Sequence, residues 1–174
     1  IDFVSADLAD MAYEDDALPI GEGQTISQPF TVVFMLELLD VKPGQKIMDV
    51  GYGSGWQSTL LSYLVGEKGK ICAFEIVPEL CEIGRENVRK YGELYSRVKF
   101  FCQSASGGSL EEAPFDRIIA AATVSEVPEE WREQLKVGGK MVYPLGNSIF
   151  LEEKTGEGEF IKTEYPGFVF VPFV

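Results

Sequence analysis

The chain has 174 residues, 45% of them hydrophobic, enough for one domain with a full core. Acidic residues outnumber basic ones 28 to 15, a net charge of −13, which argues against a general nucleic-acid surface. There is no histidine, which excludes an imidazole base or a His-based metal site, and no run of ~18 apolar residues that would span a membrane.

The chain starts at Ile1 rather than Met, which reads as a trimmed N-terminus, and no leader peptide is visible. The first twenty residues, rich in Asp and Ala, have no clear period and are expected to lie over the core as a lid or extended arm. "QPFTVVFMLELLD" follows as a helix, with Phe30, Val33, Phe34 and Leu38 on its predicted buried face. "VKPGQ" is a turn and "KIMDV" a short apolar strand. "WQSTLLSYLV" reads as a helix and "KICAFEI" as the next strand.

"PELCEIGRENVRKYG" is an amphipathic helix opened by Pro78 and closed by Gly92, with Leu80, Ile83, Val88 and Tyr91 inward. "RVKFFC" and "FDRIIAAA" are strands, "PEEWREQL" a short helix and "GGKMVYPL" a strand. "SIFLEEK", "GEFIKTEY" and "GFVFVPF" look like antiparallel strands, the first two joined by "TGEG". The expected fold is an α/β three-layer sandwich with a mostly parallel, Rossmann-like sheet and an antiparallel C-terminal hairpin. Residues 1–27 would form the arm and 28–174 a single domain.

Three cysteines, Cys72, Cys81 and Cys102, form no CxxC pair, and the odd count suits a reducing compartment, hence the cytoplasm. Cys72 and Cys102 fall in apolar strand-like runs, so both are expected to fill the core.

The informative loop is "DVGYGSGWQ", where Gly51, Gly53 and Gly55 alternate with other residues after the first strand. The dinucleotide fingerprint G-x-G-x-x-G fails because Trp56 holds its third glycine position, and the P-loop fails for want of its Lys. Glu75 ends the next strand, where a carboxylate can accept the hydroxyls of an unphosphorylated ribose. Together these suit a nucleoside without pyrophosphate, and the candidate is S-adenosyl-L-methionine, whose cationic sulfonium tolerates acidic surroundings. The competing structural explanation is a plain strand-to-helix turn with glycines for geometry.

"LPIGEGQTISQP", "PGQKIMDVGYGSGWQ", "PFDRIIAAATVSEVPEEWREQL", "GGKMVYPLG" and "FVFVP" together resemble the protein-L-isoaspartate O-methyltransferase family over nearly the whole chain. The resemblance implies a class I methyltransferase. Its expected reaction moves a methyl group from S-adenosyl-L-methionine to the free α-carboxylate of L-isoaspartyl residues in damaged proteins and peptides. S-adenosyl-L-homocysteine is the other product, and the ester collapses to a succinimide that returns some normal aspartate.

It also implies Ser27 as the active-site residue, with a helix N-cap as the alternative role. Gln24, Thr25 and Ile26 are implied to line the cofactor and substrate cleft. Gly51, Tyr52, Gly53 and Gly55 would face the methionine part of the cofactor, and Glu75 its ribose. The expected partners are isoaspartyl substrates alone, with no nucleic acid, no membrane, no metal and a monomeric chain.

The match departs where the family reads "GDG": here "QSAS" puts Ser104 at the adenine-contacting Asp position and Ala105 after it. Tyr52 replaces a smaller residue and, by its bulk, would stack on the ligand or partly fill its place. These departures keep two alternatives open, a methyltransferase-like binding homologue with weak turnover and an enzyme acting on another carboxylate.

Overall fold

The structure, a computed structural model, describes residues 1–172. A short 3-10 helix (Ala6–Met11) leads into a small hairpin of β1 (Leu18–Gly21) and β2 (Gln24–Ile26). What reads in the sequence as an arm without period is therefore partly a β-hairpin, closed by Glu22 and Gly23 at positive φ.

From there helices and strands alternate. The order is α1 (Pro29–Leu39), β3 (Lys46–Val50), α2 (Trp56–Val65), β4 (Lys70–Glu75), α3 (Pro78–Arg89), α4 (Glu93–Ser96) and β5 (Val98–Cys102). Then come β6 (Phe115–Ala120), α5 (Glu129–Gln134), β7 (Leu135–Leu145), β8 (Ser148–Gly156) and β9 (Glu159–Pro166).

Seven strands form one sheet in the order β5-β4-β3-β6-β7-β8-β9. Strands β5 to β7 in that order run parallel, and β7, β8 and β9 form an antiparallel edge. Side chains alternate across the strands, as period 2 requires. Ile47, Ile71 and Ala73 pack with Met35, Leu61 and Val88 from α1, α2 and α3. Met48, Cys72 and Phe74 pack on the other side with Trp131 of α5. The expected mostly parallel, helix-flanked sheet is what forms.

Chain direction decides where a ligand can sit. From β3 the sheet grows outward through β4 to β5, and the chain then returns to lay β6 on the other side of β3. A crevice opens outside the carboxyl ends of the strands at such a reversal.

Several expectations need correction. On α1 the buried residues are Thr31, Val32, Met35 and Leu39, while Phe30 and Val33 are 57% and 54% exposed. The helix is apolar almost all round, so its pattern does not select a face. On α3, Leu80 and Val88 are buried, but Ile83 is 45% exposed and Gly84 takes its place inward. A Cβ on Gly84 would stand 2.3 Å from the Gly53 carbonyl oxygen and 2.8 Å from the Tyr52 ring. Helix and glycine loop touch there, so the face is set by contact rather than hydrophobicity.

Cys102 is not in the core. It is exposed at the end of β5 and disulfide-bonded to the buried Cys81 of α3. Only Cys72 fills the core as expected, and burial, with Glu112 nearby, pushes its thiol up to about 12. Finally, "GFVFVPF" does not continue as a sheet strand among the described residues: β9 ends at Pro166, and the segment beyond it meets the loop after β6 at the Thr123–Pro172 bridge. Phe173 of that stretch lies outside the described residues.

Candidate active site

The glycine loop leaves the end of β3 with Gly51, Gly53 and Gly55 all at positive φ. Only glycine adopts this run without strain. The loop is anchored by the Gly51 and Tyr52 N–H groups, which donate to the Phe74 carbonyl at 2.8 and 3.2 Å. Beneath it, the fully buried Asp49 accepts from Gln57 Nε2 at 2.7 Å and Ser58 Oγ at 2.5 Å. Burial pushes the Asp49 carboxyl up to about 6 against the pull of these two donors, with Glu75 adding to the rise.

Glu75 ends β4 and is 8% exposed. Its Oε2 accepts from the Gly53 N–H at 3.0 Å, and its Oε1 from the Ile76 and Val77 N–H groups at 2.8 and 3.0 Å. Three backbone donors thus fix the carboxylate and still leave lone-pair capacity on Oε2 for a ligand hydroxyl.

These groups border a cleft at the carboxyl ends of β3 and β4. Its floor includes Gly51, Gly53 and Glu75, and its far wall Gln103, Ser104 and Ala105 after β5. Ala121 and Ala122 follow β6 across the switch point, and Gln24 and Thr25 come from the hairpin. The hairpin lies directly on the loop: Ile20 Cδ1 is 3.0 Å from where a Gly53 side chain would begin.

A second cavity adjoins the first and shares Thr25, Ala121 and Val171 with it. Ser27, Gln28 and Thr31 complete it together with Ala17, Val169 and Phe170. Ser27 follows β2 and is partly buried, and its hydroxyl has no hydrogen-bond partner among the described residues. It does not cap α1. The cap position is Gln28, without a side-chain bond, and the Phe30 N–H is satisfied instead by Asp15 Oδ1 at 2.8 Å. The arm caps the helix, which leaves the serine hydroxyl uncommitted.

The residues expected at the site divide accordingly. Gln24, Thr25, Gly51, Gly53, Glu75, Ser104 and Ala105 all line the first cleft, and Ser27 the second. Ile26 faces a different cavity beneath the N-terminal arm, beside Phe3 and Trp56. Gly55 is a packing residue, since a Cβ there would stand 2.6 Å from both the Gly84 carbonyl and Val88.

Tyr52 turns away from the cleft, contrary to the expectation that it stacks on the ligand or partly fills its place. It is 2% exposed, its ring meets Phe100 edge-on at 5.2 Å, and its hydroxyl donates to the Cys81 carbonyl at 3.1 Å. The residue between two positive-φ glycines projects to the opposite side of the loop. Val171, Ile20 and Gln103 were not singled out in the sequence. They lie within the quoted stretches "LPIG", "QSAS" and "FVFVP", but only the fold brings these distant segments together at the cleft. Ser104 points its hydroxyl to Ser106, with Oγ to Oγ at 3.1 Å.

Among the described residues the cleft has carboxylate and backbone polarity and no Lys or Arg in its lining, so it suits a cationic nucleoside and not a polyphosphate. A glycine loop, a strand-end acid and a switch-point cleft on this sheet define a class I S-adenosyl-L-methionine-dependent methyltransferase.

Comparison with known proteins narrows that class. The family model described as protein-L-isoaspartate(D-aspartate) O-methyltransferase matches residues 1–174. A protein-L-isoaspartate O-methyltransferase of Methanopyrus kandleri is 44% identical, over 99% of this chain and 78% of its own. One from Aeropyrum pernix is 43% identical, over 99% of this chain and 67% of its own.

Among solved structures, one protein-L-isoaspartate O-methyltransferase superposes with a TM-score of 0.89 at 29% identity; it covers 98% of this chain, which spans 56% of that one. Another, from Plasmodium falciparum and in complex with S-adenosyl-L-homocysteine, superposes with a TM-score of 0.88 at 25% identity, over 99% of this chain and 84% of its own. The chain belongs to the protein-L-isoaspartate O-methyltransferase family.

Proposed function

We infer that this chain transfers a methyl group from S-adenosyl-L-methionine to the α-carboxylate of L-isoaspartyl residues, the first step of protein repair. Family membership supports the reaction. The observation that carries it is the junction of two cavities at Thr25, Ala121 and Val171, with Glu75 in one and an uncommitted Ser27 hydroxyl in the other.

When bound, the cofactor supplies an electrophilic methyl group on a sulfonium. The residues that would hold it are Glu75, for the ribose hydroxyls, and the backbone of Gly51 and Gly53. Ser104 and Ala105 would face its base. The acceptor carboxylate is already ionised at pH 7, so attack needs no general base, in keeping with a chain that has no histidine. What remains is alignment and exclusion of water. Ser27 would donate a hydrogen bond to one carboxylate oxygen, leaving the other free to attack. The small side chains of Ala121 and Ala122 permit close approach of donor and acceptor.

Residues 1–27 would serve as a lid and 28–174 as the single catalytic domain. The lid is held through Phe3, whose ring stacks on Tyr91 at 5.4 Å, and through Asp2, whose Oδ2 accepts from the Tyr91 hydroxyl at 3.0 Å. Isoaspartyl proteins and peptides would be the only macromolecular partners. The net charge of −13 speaks against nucleic acid. Among the described residues no helix is long and apolar enough to cross a membrane. Cytoplasmic location and a monomeric chain remain part of this proposal, and the Cys81–Cys102 disulfide runs against the reducing compartment that the odd cysteine count suggested.

The test is transfer of labelled methyl from S-adenosyl-L-methionine to an isoaspartyl peptide beside its aspartyl twin. Label on the isoaspartyl peptide alone is expected. Label on both would make the chain a general carboxyl methyltransferase. Label on neither, with S-adenosyl-L-homocysteine still bound, would make it a binding homologue.

A further inference from the structure

The far wall of the cofactor cleft rests on an edge strand. β5 is hydrogen-bonded to β4 on one side only, and its last residue is Cys102. The next three residues, Gln103, Ser104 and Ala105, all line the cleft. Of these, Ala105 is pinned from the α5 side: its carbonyl accepts from Trp131 Nε1 at 2.8 Å and from the Gly108 N–H at 2.9 Å. Among the described residues the Ser104 side chain bonds only within its own loop, to Ser106.

The other anchor of this wall is the Cys81–Cys102 disulfide. Cys81 lies in α3 directly after Leu80, which also lines the cleft. The Cys81 carbonyl accepts from the hydroxyl of Tyr52, which belongs to the glycine loop. One covalent bond therefore ties together the glycine loop, the start of α3 and the wall at 103–105. Cys81 is buried, but Cys102 is exposed, so a reductant can reach the bond. The remaining cysteine, Cys72, is buried in the core on β4 and takes no part.

We propose that the Cys81–Cys102 disulfide is a positioning element of the cofactor cleft, so that its reduction weakens binding of the adenosyl cofactor and reoxidation restores it. The inference rests on reading this cleft as the cofactor site. Reduction by a dithiol breaks the Sγ–Sγ bond. Both sulfurs leave as thiols, having gained two electrons and two protons, and the dithiol is oxidised to its cyclic disulfide. With the bond gone, residues 103 and 104 run from Cys102, then held by the pairing of β5 with β4 alone, to the pinned Ala105. A ligand must then order them at its own expense, which lowers affinity without removing any contact.

The experiment is calorimetric titration of the intact protein with S-adenosyl-L-homocysteine. It compares the protein as purified, after dithiothreitol, after reoxidation, and as Cys81→Ala/Cys102→Ala, with thiol counting and thermal melting on each sample. Reduction and the double variant are expected to raise Kd by about ten-fold, and reoxidation to reverse it, while KM for an isoaspartyl peptide at saturating cofactor stays within about two-fold. Equal Kd values with a lowered melting temperature would leave the bond a general staple and overturn the proposal. Three titratable thiols in the unfolded, unreduced protein would overturn it too. If the oxidised protein bound no S-adenosyl-L-homocysteine, the reading of the cleft itself would fall, and this inference with it.

Discussion

The two cavities that meet at Thr25, Ala121 and Val171 are held very differently. On the proposed cofactor side the two acids are held in advance: Glu75 has three backbone donors, Asp49 two side-chain donors, and the outer wall carries a disulfide. On the proposed substrate side the Ser27 hydroxyl has no partner among the described residues, and Val169, lining the same cavity, stands 84% exposed. A ligand that is the same in every turnover can be met by a preformed site. A substrate that is one altered residue in any of many proteins needs a cavity that commits few of its groups in advance.

That contrast gives a graded set of expectations. Ser27→Ala should cause the largest change, about 100-fold in turnover of an isoaspartyl peptide, with little change in melting temperature because Ser27 caps no helix. Paired kinetics and melting check this, and a melting loss with unchanged turnover would move Ser27 to the structural side. Glu75→Ala should weaken S-adenosyl-L-homocysteine binding by roughly 1–3 kcal/mol and also lower stability, since it strands three N–H groups. An unaltered Kd by calorimetry would remove Glu75 from the ribose.

Asp49 offers a subtler test through pH. Its folded pKa, about 6, lies above the unfolded 3.8, so the folded state holds this proton more tightly. The stability it contributes is present below pH ~4 and is lost as pH rises to ~6. Asp49→Asn should remove that slope and raise stability at pH 7 by roughly 1–3 kcal/mol, measured by denaturant unfolding across this range. A slope that survives the substitution would assign it to another group. The smallest effect is expected of Ser104→Asp, which adds a charged acceptor at the adenine wall and should tighten S-adenosyl-L-homocysteine binding by about 1 kcal/mol. No gain would mean that the wall already satisfies the base.

Much of the cofactor half was legible in the chain. Alternating glycines after an apolar run, and an acid at the end of the next strand, are local features whose geometry follows from backbone sterics and strand period. Gly51, Gly53 and Glu75 therefore fell where expected. Tyr52 and Gly55 did not, because the direction of a side chain between positive-φ glycines depends on what packs against the loop, here Gly84 and Phe100. The phase of α1 escaped for a related reason: a helix apolar on every side has no face until the sheet chooses one. The Cys81–Cys102 pairing was also beyond sequence reasoning, since connectivity needs two Cα atoms 5.8 Å apart, which a separation of 21 residues does not imply.

By itself, then, the sequence determined the alternation of the main helices and strands from α1 to β9, the mostly parallel sheet, and the glycine loop with its acid, but not the β1–β2 hairpin or α4. All of these depend on residues within a few positions of one another. Tertiary structure alone decided that Asp15 rather than Ser27 caps α1, that two cysteines close the cofactor wall, and that Val171 and Ala121 stand between two cavities. Each of these joins residues far apart in the chain, and such contacts are set only when the layers close on one another.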